Sequence, residues 1–285
     1  MKSTRMIRFD LKNFFLKNKN RFFLPAVFSV LSYFILCSMV SDYQEVESAV
    51  FDIWEQENIK VTFLDWWYYV FSGLGKIDIG EKFEVPACWL AANLFLLYMV
   101  SGYLSFSMKG MGKQVMIKCN SERRWWLTKG IINLIAVVIY YLFLTVPILL
   151  ITAVRGCAAG LTPYVAESQA LPFLLEESTQ AMFQMIFLPV FISLVLLFLM
   201  QFLEIYLGAS LSFLVMAVFM IVSAYLSLRG LDGIFLMLRR TVLFEEGRVC
   251  WQQVVCSGSM IIILAQVLGC KKCRRMDIGL EGEKR

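Results

Sequence analysis

The sequence predicts an all-α, polytopic membrane protein with six transmembrane helices, both termini cytoplasmic and an N-terminal interfacial helix. Three observations predict it. Of the 285 residues, 59% are hydrophobic and only 17% are charged, which is more apolar than a soluble domain can hide in one core. Apolar runs close to the about 20 residues that carry a helix across roughly 30 Å of hydrocarbon recur along the chain. Between them, basic and acidic loops alternate, as retention of Lys and Arg on the cytoplasmic side requires.

Residues 4–19, TRMIRFDLKNFFLKNK, scatter Met6, Ile7, Phe9, Leu11, Phe14, Phe15 and Leu16 among basic residues at near-helical spacing. That pattern predicts an amphipathic helix within residues 1–21, lying along the inner leaflet, rather than a frayed basic tail. The spans follow near 22–40, 87–108, 130–154, 181–201, 209–228 and 254–269. The first has a largely polar stretch before it and no small-x-small cleavage site after it, so it reads as a retained span rather than a signal peptide. Pro25, Pro147 and Pro189 fall inside spans, where they can kink a helix.

Lys2, Arg5, Arg8, Lys12, Lys17, Lys19 and Arg21 put residues 1–21 inside. Six basic residues in the loop 109–129 and six in the tail 271–285 do the same for those segments. The loop 42–86 carries ten acids against Lys60, Lys76 and Lys82, and so belongs outside the cytoplasm. Six spans satisfy these assignments, although Arg229, Arg239, Arg240 and Arg248 then sit in an external segment, 229–253. Within the acidic loop, VTFLDWWYYVFSG (61–73) is too short to cross and contains Asp65. It is expected on or dipping into the outer leaflet, with Trp66 and Trp67 as interface anchors. The piece 231–244 is expected to be re-entrant or interfacial. One membrane domain, 1–285, accounts for the whole chain.

The residue types exclude several chemistries. With no histidine, His-based acid/base catalysis and His-ligated zinc sites are absent. Cys270 and Cys273 form the one close thiol pair, too few ligands for a closed zinc site, so no metal site is expected. No G-x-x-x-x-G-K-[ST] occurs: Gly75–Lys76 is followed by Ile77 and Gly112–Lys113 by Gln114. The chain therefore lacks an ATPase motif of its own, and no catalytic residue is predicted. The spans are almost free of charge. The exception is Glu204, between the fourth and fifth spans, which reads either as a gate or cation ligand or as a polar residue in the tight turn that Gly208 helps to make.

The stretch 120–130, NSERRWWLTKG, sets two arginines against two tryptophans where a cytoplasmic loop re-enters the membrane. Arg123 and Arg124 suit water and lipid phosphate, and Trp125 and Trp126 suit the acyl boundary, as interface anchors. The run 121–129 is also similar to the Ser/Arg, aromatic, Lys pattern with which bacterial ABC-type-2 transporter permeases enter their third span. The ending 271–278, KKCRRMDI, resembles their basic tail closing on Asp-Ile, and the order of parts along the chain resembles the family's layout. Here Glu122 separates the serine from the arginine, a departure from the adjacent Ser-Arg of that pattern.

The resemblance implies the permease subunit of an ATP-driven exporter in the bacterial cytoplasmic (plasma) membrane. It implies a separate ABC ATPase subunit as partner, binding ATP and Mg that this chain does not bind, and a second permease copy or sister permease. It also implies a coupling helix near 110–124, with Met111, Lys113, Gln114, Met116, Lys118, Arg123 and Arg124 in contact with the ATPase. A peptide, antibiotic or other hydrophobic compound is the implied cargo, as in antimicrobial peptide resistance. Nothing points to nucleic acid. A different class of function, a non-transporting immunity or scaffold protein, would instead use the acidic 42–86 loop to bind a cationic partner.

Overall fold

The computed structural model describes residues 3–51, 60–74, 85–108, 122–157, 179–225, 237–240 and 250–274. Regular structure within these residues is helical throughout. In chain order the helices are α1 Ser3–Asn18, α2 Phe23–Phe51, α3 Phe63–Phe71, α4 Ala87–Val100 and α5 Tyr103–Met108. They continue with α6 Glu122–Val154, α7 Thr179–Leu207, α8 Ala209–Tyr225 and α9 Trp251–Arg274, and a 3-10 turn, Leu238–Arg240, precedes α9.

Five stretches are long and apolar enough to cross a membrane: Phe23–Asp42, Ala87–Met108, Arg123–Val154, Phe183–Leu207 and Trp251–Cys273. The expected fifth span, 209–228, is described as far as Tyr225, and its 17-residue helix α8 is shorter. At 1.5 Å per residue it reaches about 25 Å, against roughly 30 Å of hydrocarbon. By the same rise α6, with 33 residues, is about 50 Å long and must project beyond the bilayer. Its first two turns, expected as loop, are therefore helix. Likewise α2 runs on to Phe51, so the acidic 42–86 segment begins as helix rather than loop. Pro147 and Pro189 lie within α6 and α7, which continue through them.

The helices pack as a bundle in which α9 lies against α7 and α6, α2 against α6, and α8 against α7 and α4. Where α6 meets α9 the fit depends on Gly269. A Cβ there would stand 2.2 Å from Cζ2 of Trp126, so the indole occupies the space a larger residue would need, a small-residue contact of the kind that brings membrane helices together. Gly208, with φ of +79°, separates α7 from α8 and lets α8 turn back along α7.

The short helix α3 is enclosed by the other helices. It does not lie on the bundle's outer surface: Trp66, Trp67, Tyr68, Val70 and Phe71 are all buried, and α3 packs on α2, α4, α6 and α7. A capping box fixes its start, Thr62 accepting from the Asp65 N–H while the Asp65 carboxylate accepts from the Thr62 N–H at 2.8 Å. The Trp66 indole donates to Ser32 Oγ at 2.9 Å and that of Trp67 to the Met185 carbonyl at 3.0 Å. Indole N–H groups want a partner wherever they are buried, and here protein supplies what headgroups were expected to supply. The 3-10 turn closes over α3, with Arg239 N–H donating to the Ser72 carbonyl and Arg239 Nε to Tyr68 Oη.

Candidate functional site

The second membrane-crossing stretch is two helices. Between Val100 and Tyr103 the backbone leaves the helix, with Ser101 extended and Gly102 at φ +73°, a conformation that favours glycine. A break of this kind frees carbonyls at the end of α4 and amides at the start of α5, and in hydrocarbon each needs an internal partner.

Charged side chains from α1, the turn after it and α7 supply those partners. Arg21, in the turn between α1 and α2, donates to the Tyr98 carbonyl at 2.8 Å and the Ser101 carbonyl at 3.0 Å, and its guanidinium lies over the Tyr98 ring. Lys17 donates to the Gly102 carbonyl. On the other side of the break, Glu204 of α7 accepts from the Ser105 N–H at 2.9 Å and from Ser105 Oγ at 2.7 Å. Cations thus meet the carbonyl end of α4 and a carboxylate meets the amide end of α5, the signs that the helix dipoles favour. Burial and the neighbouring Arg21 hold Lys17 below the ordinary lysine range, while Glu204 pulls the other way.

About two turns earlier in α1 lies a second charged contact. Asp10 and Lys129 of α6 form an ion pair at 2.8 Å, with side chains only 5% and 2% exposed. Tyr103 joins them: its hydroxyl donates to the Asp10 carbonyl at 2.9 Å and receives from Lys129 Nζ at 3.4 Å. The ammonium also lies over the rings of Tyr103 and Trp125, where the negative faces of the rings add attraction in a dry site. Phe14 packs edge-on against Tyr103 and Phe22, fastening α1 beside this pair. Asp10 Oδ2 and both side-chain atoms of Asn18 are buried without a hydrogen bond. α1 is therefore docked on the bundle by its Asp10, Phe14, Lys17 and Asn18 face.

The structure thus brings Glu204 together with residues the sequence reading did not single out: Asp10, Lys17, Arg21, Tyr103 and Ser105. One signal was present, since Asp10 is the lone acid among residues 1–21. Trp125 and Trp126, expected at the lipid boundary, are buried at 1% and 0% exposure. The Trp126 indole donates to the Gln266 carbonyl of α9, so these rings join helices. Arg123 and Arg124 on the same turn are exposed. Met111, Lys113, Gln114, Met116 and Lys118 lie outside the described residues. Chemically the cluster holds helix ends. It pairs no nucleophile with a base, and no group of three His, Cys, Asp or Glu able to hold a metal ion occurs among the described residues.

Five long apolar helices packed in one bundle define a multi-pass membrane protein. The chain belongs to the family described as protein of unknown function (DUF2705), which matches residues 35–279. No curated protein and no solved structure matches it.

Proposed function

We propose that the chain is the permease subunit of an ATP-driven exporter of the ABC type, in the bacterial cytoplasmic membrane. In this reading the stretch 209–228 counts as a sixth span, both termini are cytoplasmic, and the cluster of α1, α5, α6 and α7 lies at the cytoplasmic face. Two permease chains form the pathway and a separate ATPase drives it.

The observation that carries the reading is the way the cluster ties together α5 and α6, the two helices that flank the 109–121 connection. A push on that connection would reach α5 through the break at Gly102 and α6 through Lys129. Motion driven by ATP elsewhere needs such a contact, because only interactions that differ between two states can shift their balance. Glu204 then acts as a holding group for the break, giving its role as a gate a mechanical form. The alternative, a non-transporting immunity or scaffold protein that binds a cationic partner through the 42–86 loop, has less support. The described part of that loop that could present an aromatic surface, α3, is sunk in the bundle.

The test is purification of the tagged chain from its own membranes, with ATPase activity measured on the eluate. A co-purifying ATPase that is lost in the Met111→Ala, Lys113→Ala, Met116→Ala, Lys118→Ala variant supports the reading. If no nucleotide-hydrolysing partner accompanies a folded wild-type chain, the exporter assignment is wrong.

A further inference from the structure

The basic residues of the N-terminal segment divide into two sets once α1 is docked. Lys17 and Arg21 are spent on the carbonyls of the broken span. Asp10, the only acid of the segment, is turned inward onto Lys129 and removed from the surface. What remains outward is Arg8, Lys12, Phe15 and Leu16 of α1, with Lys19 in the turn that follows, all exposed. The four helical positions are spaced so that they share one helix face. Phe15 and Leu16, 40% and 62% exposed, lie between the cations, and Phe23, 64% exposed, continues the apolar edge into α2.

We propose that this face binds the headgroups of anionic phospholipids. The face is cationic with its acid withdrawn, and its two apolar side chains are set between cations whose long stems can lie along them. That arrangement suits a helix lying in a headgroup layer, where apolar side chains enter the acyl boundary and each nearby Lys or Arg contributes about 1 kcal/mol of attraction to an anionic surface. A zwitterionic surface offers the apolar term alone. The ion pair with Lys129 therefore shapes lipid preference as well as docking, since Asp10 left at the surface would cancel one of the cations.

The assay is the apparent unfolding temperature of the full-length protein in neutral detergent, with added phosphatidylglycerol compared with added phosphatidylcholine. It covers wild type, Arg8→Gln/Lys12→Gln/Lys19→Gln, and a control, Lys60→Gln/Lys271→Gln, that removes two exposed cations elsewhere. Wild type and control are expected to gain about 2–4 °C more from the anionic lipid than from the zwitterionic one, a linkage shift from binding the native state. That difference should vanish in the α1 variant, and in wild type at about 0.5 M salt, where exposed charges are screened. Equal responses of wild type to both lipids would overturn the proposal. So would a preference that survives in the α1 variant, or one lost in the control. An α1 variant that keeps its lipid preference but loses a co-purifying protein would assign the face to a protein partner instead. The inference takes from the proposed topology only which leaflet supplies the lipid. Because the detergent assay is blind to topology and to any ATPase, its failure and failure of the exporter reading are separate results.

Discussion

Lys129→Met is the most informative single change. It puts a neutral side chain of similar length against Asp10 and leaves a carboxylate buried without its cation. At 2.8 Å and an effective dielectric of about 20, the attraction removed is about 6 kcal/mol. Taking each ion out of water costs several kcal/mol, so the pair's net worth against an apolar replacement is small. Breaking it from one side is not small, because Asp10 keeps its desolvation cost: the expected loss is about 3–5 kcal/mol. Asp10→Leu/Lys129→Met, which removes both charges, should lie within about 1 kcal/mol of wild type. The assay is apparent Tm together with denaturant unfolding of the purified protein in detergent, across wild type, both single variants and the double variant. A Lys129→Met loss below about 1 kcal/mol, or a double variant as unstable as the sum of the singles, would refute the reasoning.

Four further outcomes follow from the same geometry. Glu204→Leu strips the Ser105 amide and hydroxyl of their acceptor and should cost about 1–3 kcal/mol by the same unfolding assays, with Glu204→Gln milder. Gly102→Ala forces a side chain into φ +73° and sets a Cβ 3.3 Å from Lys17 Nζ. It should cost about 1 kcal/mol or more, read in the same way. Gly269→Ala meets the Trp126 ring and should lower stability by about 1–3 kcal/mol, with the loss reduced in Trp126→Leu, which clears the space. Lys17 sits below its ordinary pKa when folded, so the unfolded chain holds more protons just under pH 10.5. Stability should therefore rise with pH through that window, and unfolding curves of Lys17→Met should lack this component.

Apolar runs located the long helices because length and hydropathy are what a bilayer selects. They could not place α3. A stretch such as Trp66–Phe71 is as comfortable against protein as against lipid, and composition alone does not say which neighbour it has. Trp125 and Trp126 could not be placed from sequence for the same reason, since only the matching gap at Gly269, far along the chain, shows that α9 covers Trp126. Glu204 was legible because a lone charge among apolar residues stands out. Its partner Ser105 was not, because nothing in the sequence marks the break at Gly102 as the place where an amide needs an acceptor. The pairing of Asp10 with Lys129 was hidden by their surroundings, since each looks like an ordinary charge beside other charges until tertiary contact chooses one partner.

The docking of α1 also fixes an order of assembly. α1 leaves the ribosome before Lys129, its anchor, which follows two membrane-crossing stretches in the chain. Until then Asp10 has no buried cation to meet, and the nascent helix can wait only at the membrane surface. The first turns of α6 are themselves incomplete until α9, the last described helix, brings Gly269 against Trp126. α1 is thus locked late, and a truncation before α9 should expose α1 to protease even though every residue of it is present.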